Sequence, residues 1–271
     1  LRRKKANVLK DLPPKIVSCI ALPLSETQAE SYKRAEEQGI VQLSRMGEQA
    51  RIENVLELIL RLKQICNFCP TTGQSAKLDD IQQRLEMLQE SGHRALIFSQ
   101  FKGRFGVEAI VRRLETFRPL TYTGSMSQTE RQAVIQTFKT DTSRRALVLS
   151  LRAGGQVLNL QDASYVFHFD RWWNPAVEHQ AEDRSHRLGQ EFPVNVYSYS
   201  CEGTIEERID RILKEKQSLF DEVVDDVSMD LRGSLGAESL FGLFGLAAPK
   251  GVKEPPKGDG AVPAFGGMSG Q

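Results

Sequence analysis

Three short runs in this chain are apolar almost without alternation: Ala95–Phe98 (ALIF), Ala146–Ser150 (ALVLS) and Tyr165–Phe169 (YVFHF). A strand with one wet face alternates apolar and polar residues, so runs like these read as strands buried on both faces of a parallel sheet. Parallel neighbours need crossover connections, and helical patterns do lie between the runs. Val107, Ile110, Val111, Leu114 and Phe117 mark one helix, and a Ser127/Glu130 capping box precedes Val134, Ile135 and Phe138 in another. Further strands are expected at Ile16–Leu22, Leu120–Tyr122 and Val194–Ser200, and a helix capped by Thr204 and Glu207 should carry Ile205, Ile209 and Ile212. Two more amphipathic helices are predicted, one through Ile52, Val55, Ile59 and Leu62, the other through Leu78, Ile81 and Leu85, stopped at Gly92. The chain therefore reads as α/β: a doubly wound, mostly parallel sheet of about six strands with helices on both faces, behind a helical N-terminal segment.

With 271 residues, 40% of them hydrophobic, there is material for one large or two small domains. Lys and Arg number 36 against 35 Asp and Glu, so any nucleic-acid contact must come from a local patch. No apolar run approaches the length of a membrane span, and the opening LRRKK precedes no apolar signal core, which points to a cytoplasmic protein. A start without Met suggests a piece of a longer protein. Cys19, Cys66, Cys69 and Cys201 suit a reducing compartment better than a disulfide scaffold, and the single C-x-x-C has no second ligand pair, so no metal is predicted.

Chemistry concentrates between Ala146 and Gln190. The Gly154-Gly155 turn after the first strand permits positive φ and close backbone approach to a ligand, although plain turn chemistry uses the same residues. After the second strand, Asn174 is a natural N-cap and Pro175 a natural first helical residue. Gln180, Arg184 and Arg187 recur at i, i+4 and i+7 on that expected helix, beside Val177, Ala181 and Leu188, with Glu178, Glu182 and His186 on the far side. Two readings stay open for the arginines. They are either structural, bonded to carboxylates or carbonyls, or a pair of planar forks for a phosphate brought by a partner surface.

The blocks LSLRAGG, FHFDRWWNPA and QAEDRSHRLGQ resemble motifs V and VI of the Swi/Snf (Snf-two) family of duplex-DNA translocases, with FDRWWNPAVE closest in spelling to its bacterial and archaeal members. ALIFSQF and YTGSMSQTER resemble motif IV and the segment after it, LILRLKQICN the close of the helical region, and GTIEERI the brace-like closing helix. The resemblance implies a RecA-like second lobe: an inter-lobe linker at 1–15, a first strand and helices at 16–76, the helicase C-terminal lobe at 77–224 and a tail at 225–271. In that tail LFGLFGL, Leu240–Leu246, is either a short docking helix or a loop tip, and 249–271 reads as disordered.

No G-x-x-x-x-G-K-[ST] loop and no acidic magnesium pair occurs, so the chain by itself is expected not to hydrolyse ATP. The resemblance places ATP and Mg2+ mainly on a first lobe lying outside this chain and makes Arg184 and Arg187 the arginine fingers that reach the nucleotide. It implies that Gly155, Asn159 and Gln180 line the same cleft, and that Gln100, Ser150, Arg152 and Trp173 approach the DNA backbone, with Trp172 in the core. The expected partners are double-stranded DNA and that first lobe, with no membrane. One position departs from the pattern: Val157 stands where the family usually has glycine, which puts coupling between nucleotide and DNA in doubt. A non-catalytic binding module and a lobe of an RNA helicase are the alternatives.

Overall fold

The computed structural model describes residues 12–150, 159–172, 175–187, 189–220 and 235–250. Within them six strands form one sheet: β1 (Lys15–Leu22), β2 (Ala95–Ser99), β3 (Leu120–Tyr122), β4 (Ala146–Ser150), β5 (Tyr165–His168) and β6 (Val194–Cys201). Their spatial order is β1-β6-β5-β2-β4-β3, and every pairing is parallel. The apolar runs take the middle of the sheet, where both faces are covered, and β2 and β4 are buried at each position. β1 is an edge strand paired with β6 from Lys15 opposite Val194 to Leu22 opposite Cys201, and it leaves Ile16 and Val17 about half exposed.

The helices between the strands are α1 (Glu26–Met46), α2 (Ile52–Asn67), α3 (Ala76–Glu90), α4 (Val107–Arg113), α5 (Gln128–Thr140) and α6 (Pro175–Glu182), and α7 (Ile205–Phe220) follows β6. Their starts follow from capping chemistry. Ser25, Ser75 and Ser127 each accept a backbone N–H of the first turn, and Ser127 with Glu130 closes the expected capping box. α3 stops before Gly92, which sits at φ +74° where a side chain would be strained. At α7 the cap is shifted by one residue from the expected pairing: Thr204 Oγ1 accepts from Glu206 N–H, and Glu207 accepts from Gly203 N–H.

One face of the sheet packs Leu78, Ile81 and Leu85 of α3 and Val107 and Ile110 of α4. The other packs Phe138 of α5, Ala181 of α6 and the 160–163 turn. A third core joins α1, α2 and α7 to a final helix, α8 (Ala237–Gly242), whose Leu240 and Phe241 are buried with Leu243 and Phe244. LFGLFGL thus begins in this helix and ends in turns at Leu243–Gly245, where Arg208 Nη1 donates to Leu243 O at 2.9 Å.

Candidate functional site at the carboxyl edge of the sheet

The carboxyl ends of β2, β4 and β5 lie side by side, Ser99 opposite Ser150 and Phe98 opposite His168. From β2 the chain leaves toward the face covered by α4; from β5 it leaves toward the face covered by α6. Connections that diverge in this way open a crevice above the strand ends, the usual ligand position in such sheets.

Asp170 organises the near side of that crevice. It is fully buried, and its carboxylate accepts from Ser99 Oγ (2.5 Å), Gln100 N–H (2.9 Å) and Asn67 Nδ2 (3.0 Å). Gln100 also donates from Nε2 to Arg171 O (3.1 Å), an oxygen that Lys63 Nζ reaches at 2.6 Å. Burial pushes the Lys63 ammonium below its ordinary range, against the pull of Glu206 and Asp170. Gln100 is thus half-buried with its position fixed from below. Ser150 is 3% exposed, and its Oγ has no hydrogen-bond partner among the described residues. The carboxylate directly after YVFHF was a legible signal for Asp170, and the sequence reading passed over it.

The arginines do not share a helical stripe with Gln180, because α6 ends at Glu182. Beyond it the ladder tightens into turns, with Arg184 N–H donating to Ala181 O and Ser185 N–H to Glu182 O, while the Arg184 carbonyl accepts from Leu160 N–H at 3.0 Å. A distant backbone donor has captured the acceptor that a longer helix would need. Arg184 is 7% exposed, and its Nε and Nη1 have no partner among the described residues; nor does the hydroxyl of the buried Tyr122, which is within its electrostatic reach. Burial lowers the Arg184 pKa, Tyr122 opposes that, and the neighbouring charge of Arg187 adds to it. Arg131 stands 5.9 Å from the Tyr122 ring centroid and donates to Gly124 O at 2.7 Å. Arg187 is half-buried, whereas Gln180 and Asn159 are exposed.

Glu178 and Glu182 reverse the expected polarity of α6: both are buried. Glu178 Oε1 accepts from Arg171 Nε (3.1 Å) and Trp172 N–H (2.8 Å), which draws the half-buried Trp172 toward the sheet. Glu182 takes Lys15 Nζ at 2.6 Å, with His168 Nε2 3.4 Å away. Burial alone would raise the Glu182 pKa; His168 and Lys15 outweigh it and hold the carboxyl well below its usual range.

The two cysteines of the C-x-x-C part company. Cys69 Sγ lies 3.2 Å from Thr71 Oγ1, and although burial opposes it, bonding from Thr71 and Thr72 brings its pKa down to about 6. Cys66 faces Cys201 and Glu206, with one ligand-type atom of each within 4.8 Å of the others. That group is filled by protein: Glu206 Oε1 pairs with Lys77 Nζ (2.8 Å), Glu206 Oε2 accepts from Cys201 N–H (3.0 Å), and burial raises the Cys66 thiol. An ammonium in that position repels a cation.

Arg152, Gly155, Val157, Trp173 and Asn174 lie outside the described residues, as do 1–11, 221–234 and 251–271. Of the predicted site residues, the structure gathers Gln100 and Ser150 at the strand ends and sets Arg184 beneath the same edge, on the face that carries Tyr122.

The chain matches the model of the helicase conserved C-terminal domain over residues 76–189 and that of the SNF2-related domain over residues 1–70. It is 35% identical over 264 residues to the putative ATP-dependent helicase/translocase YwqA of Bacillus subtilis, covering 92% of this chain and 28% of that protein. An uncharacterized ATP-dependent helicase of Mycoplasma pneumoniae is 34% identical over 255 residues, 90% of this chain and 24% of its own length. The chain thus spans under a third of these relatives. Among solved structures, the C-terminal domain of the Sulfolobus solfataricus SWI2/SNF2 ATPase superposes with a TM-score of 0.67 at 29% identity, covering 86% of this chain and 100% of that one. The core of the same ATPase in complex with dsDNA gives 0.69 at 30% identity, over 92% and 54%. A parallel six-stranded sheet of this order, with both family models matched in succession, makes the chain a member of the Swi/Snf (Snf-two) family, as its RecA-like helicase C-terminal lobe.

Proposed function

We propose that this lobe is the second half of an ATP-driven motor on double-stranded DNA, supplying Arg184 and Arg187 to a nucleotide whose phosphates and Mg2+ are held mainly by a first lobe. The observation that carries the proposal is the Arg184 guanidinium, 7% exposed with Nε and Nη1 lacking a partner among the described residues. A buried cation with free donors is unfavourable in a merely structural role, and an incoming phosphate oxygen satisfies both the charge and the donors. Arg187, less buried, can meet the same anion from the solvent side. Charge developing on the transferred phosphoryl group is what such a pair stabilises. Gln100 and the unpaired Ser150 hydroxyl offer backbone-directed hydrogen bonds at the strand ends, where DNA is tracked without base reading. Arg152 and Trp173, with Gly155, Asn159 and Gln180 toward the nucleotide, complete the proposed set.

The test is ATP turnover, with and without duplex DNA, by a protein joining a first lobe to this chain, with the chain alone as the blank. Arg184→Ala and Arg187→Ala should each cut DNA-stimulated turnover by about a thousandfold or more while nucleotide binding partly survives. Turnover indifferent to both would return the arginines to a structural role, and no turnover in the joined protein would favour a binding module.

A further inference from the structure

Two routes, one through buried side chains and one partly exposed, run from the Gln100 segment to one helix. In the first, Asp170 accepts Gln100 N–H (2.9 Å) and Asn67 Nδ2 (3.0 Å), Asn67 Oδ1 accepts from Lys77 Nζ (3.2 Å), and Lys77 pairs with Glu206 in the first turn of α7 (2.8 Å). In the second, Gln100 Nε2 donates to Arg171 O (3.1 Å), and Arg171 Nη1 reaches Asp210, one turn further along α7 (3.3 Å). The Lys77 and Glu206 side chains are 0% and 1% exposed, and Asn67 and Asp170 are fully buried. Burial opposes the charge on Lys77, yet the Glu206 carboxylate raises its pKa, so Lys77 keeps its charge.

Such a network is a poor device for stability, since apolar residues of the same volume would hold the elements together as well. What it confers is registration: each bond accepts one placement of its partner, and a half-made network in a dry interior is worse than none. Asn67 is the junction, because its amide also donates to Phe105 O (3.1 Å) and so ties down the loop after Gln100. At the other end, α7 is gripped from outside the sheet. Tyr32 of α1 accepts Ile205 N–H, Arg208 pairs with Glu36, and Arg208 holds the α8 carbonyl of Leu243.

We propose that Asn67 and Asp170 are positioning residues that lock the Gln100 segment to α7, so that a displacement of α7, or of the α8 segment docked on it, is passed to the DNA-facing edge of the sheet. The functional half of this rests on the reading of Gln100 as a DNA-backbone contact; the mechanical half does not. In physical terms α7 and the 99–106 loop are one body, joined at two points, and neither can shift without breaking buried bonds.

Hydrogen exchange on the 271-residue chain tests the mechanical half without any activity. Asn67→Ala should speed amide exchange about tenfold at Gln100–Gly106 and in the first turn of α7 together, with β2 and β4 unchanged. The reciprocal exchange, Asn67→Asp combined with Asp170→Asn, keeps one carboxylate and one amide in contact but removes the donor to Phe105 O, so it should restore protection at Gln100 and in α7 and leave the Phe105–Gly106 end of the loop fast. Asp210→Ala, at a partly solvated position, breaks only the second route and guards against a variant that fails to fold. Exchange rising in the loop but not in α7, or no rescue at Gln100 and α7 by the reciprocal pair, overturns the proposal. In the protein with both lobes, Asn67→Ala should raise the duplex concentration for half-maximal stimulation about fivefold or more, leaving DNA-independent turnover as it was. An unchanged duplex requirement beside a loosened loop removes the DNA role of Gln100 and leaves the mechanical link standing. If the parent shows no DNA-stimulated turnover, the motor reading has failed, and the exchange result still judges the link.

Discussion

At the scale of single residues, Arg184 is the position where stability and activity should pull apart. A desolvated guanidinium whose Nε and Nη1 have no partner among the described residues destabilises the fold by an amount typical of unmet buried donors, about 1–3 kcal/mol. Arg184→Met keeps the length and removes the charge, so we expect the isolated chain to gain about 1 kcal/mol, seen as a Tm rise of about 2–4 °C, while turnover of the two-lobe protein is lost. A chain destabilised by more than about 1 kcal/mol would mean that the guanidinium already has a structural partner. The spacing of Gln180, Arg184 and Arg187 singled this residue out but left its role open, and its setting was not legible. Periodicity continues through Arg187, and nothing local reveals that Leu160 N–H, 24 positions upstream, takes the Arg184 carbonyl and ends the helix early.

At the scale of elements, α6 is tethered by its buried carboxylates, and this gives a pH dependence of known sign. The folded pKa of Glu182 lies below the ordinary carboxyl value of 4.5. Its stabilising contribution is therefore fully present above pH 4.5, begins to fall as the pH drops through that value, and is gone only when the carboxyl protonates in the folded state. Glu182→Gln should cost about 2 kcal/mol at pH 7, with the partial exposure of Lys15 limiting the loss, and the difference from wild type should shrink toward pH 3 in urea titrations. A difference constant across that range would exclude the carboxylate as its source. Helix α8 makes a different kind of contact, with Leu240 and Phe241 buried in an apolar core, and Phe241→Ala at a 2% exposed site should cost about 3–4 kcal/mol and lower the urea midpoint without altering the arginine site. The burial of Glu178 and Glu182 could not be read from amphipathic pattern, because the partners Arg171 and Lys15 come from other elements. The choice between docking helix and loop tip for LFGLFGL was undecidable for the same reason: the groove that receives it is built by α2 and α7.

At the scale of the whole molecule, the sheet was the legible part. Runs without alternation announced strands covered on both faces, and ALIF, ALVLS and YVFHF do occupy the centre of the order β1-β6-β5-β2-β4-β3. What no run announces is that β1 stands beside β6. That pairing joins residues 15–22 to residues 194–201 with nearly every other element threaded between. Contacts of such long sequence separation form slowly, because the entropy of closing the intervening chain is lost before the pair gives anything back. During synthesis β1 emerges first and its only lateral neighbour among the described strands emerges last, so an eight-residue strand bearing Ile16 and Val17 waits unpaired while β2 through β5 assemble. During the interval between those two events the open edge of that strand is exposed to pairing with other chains.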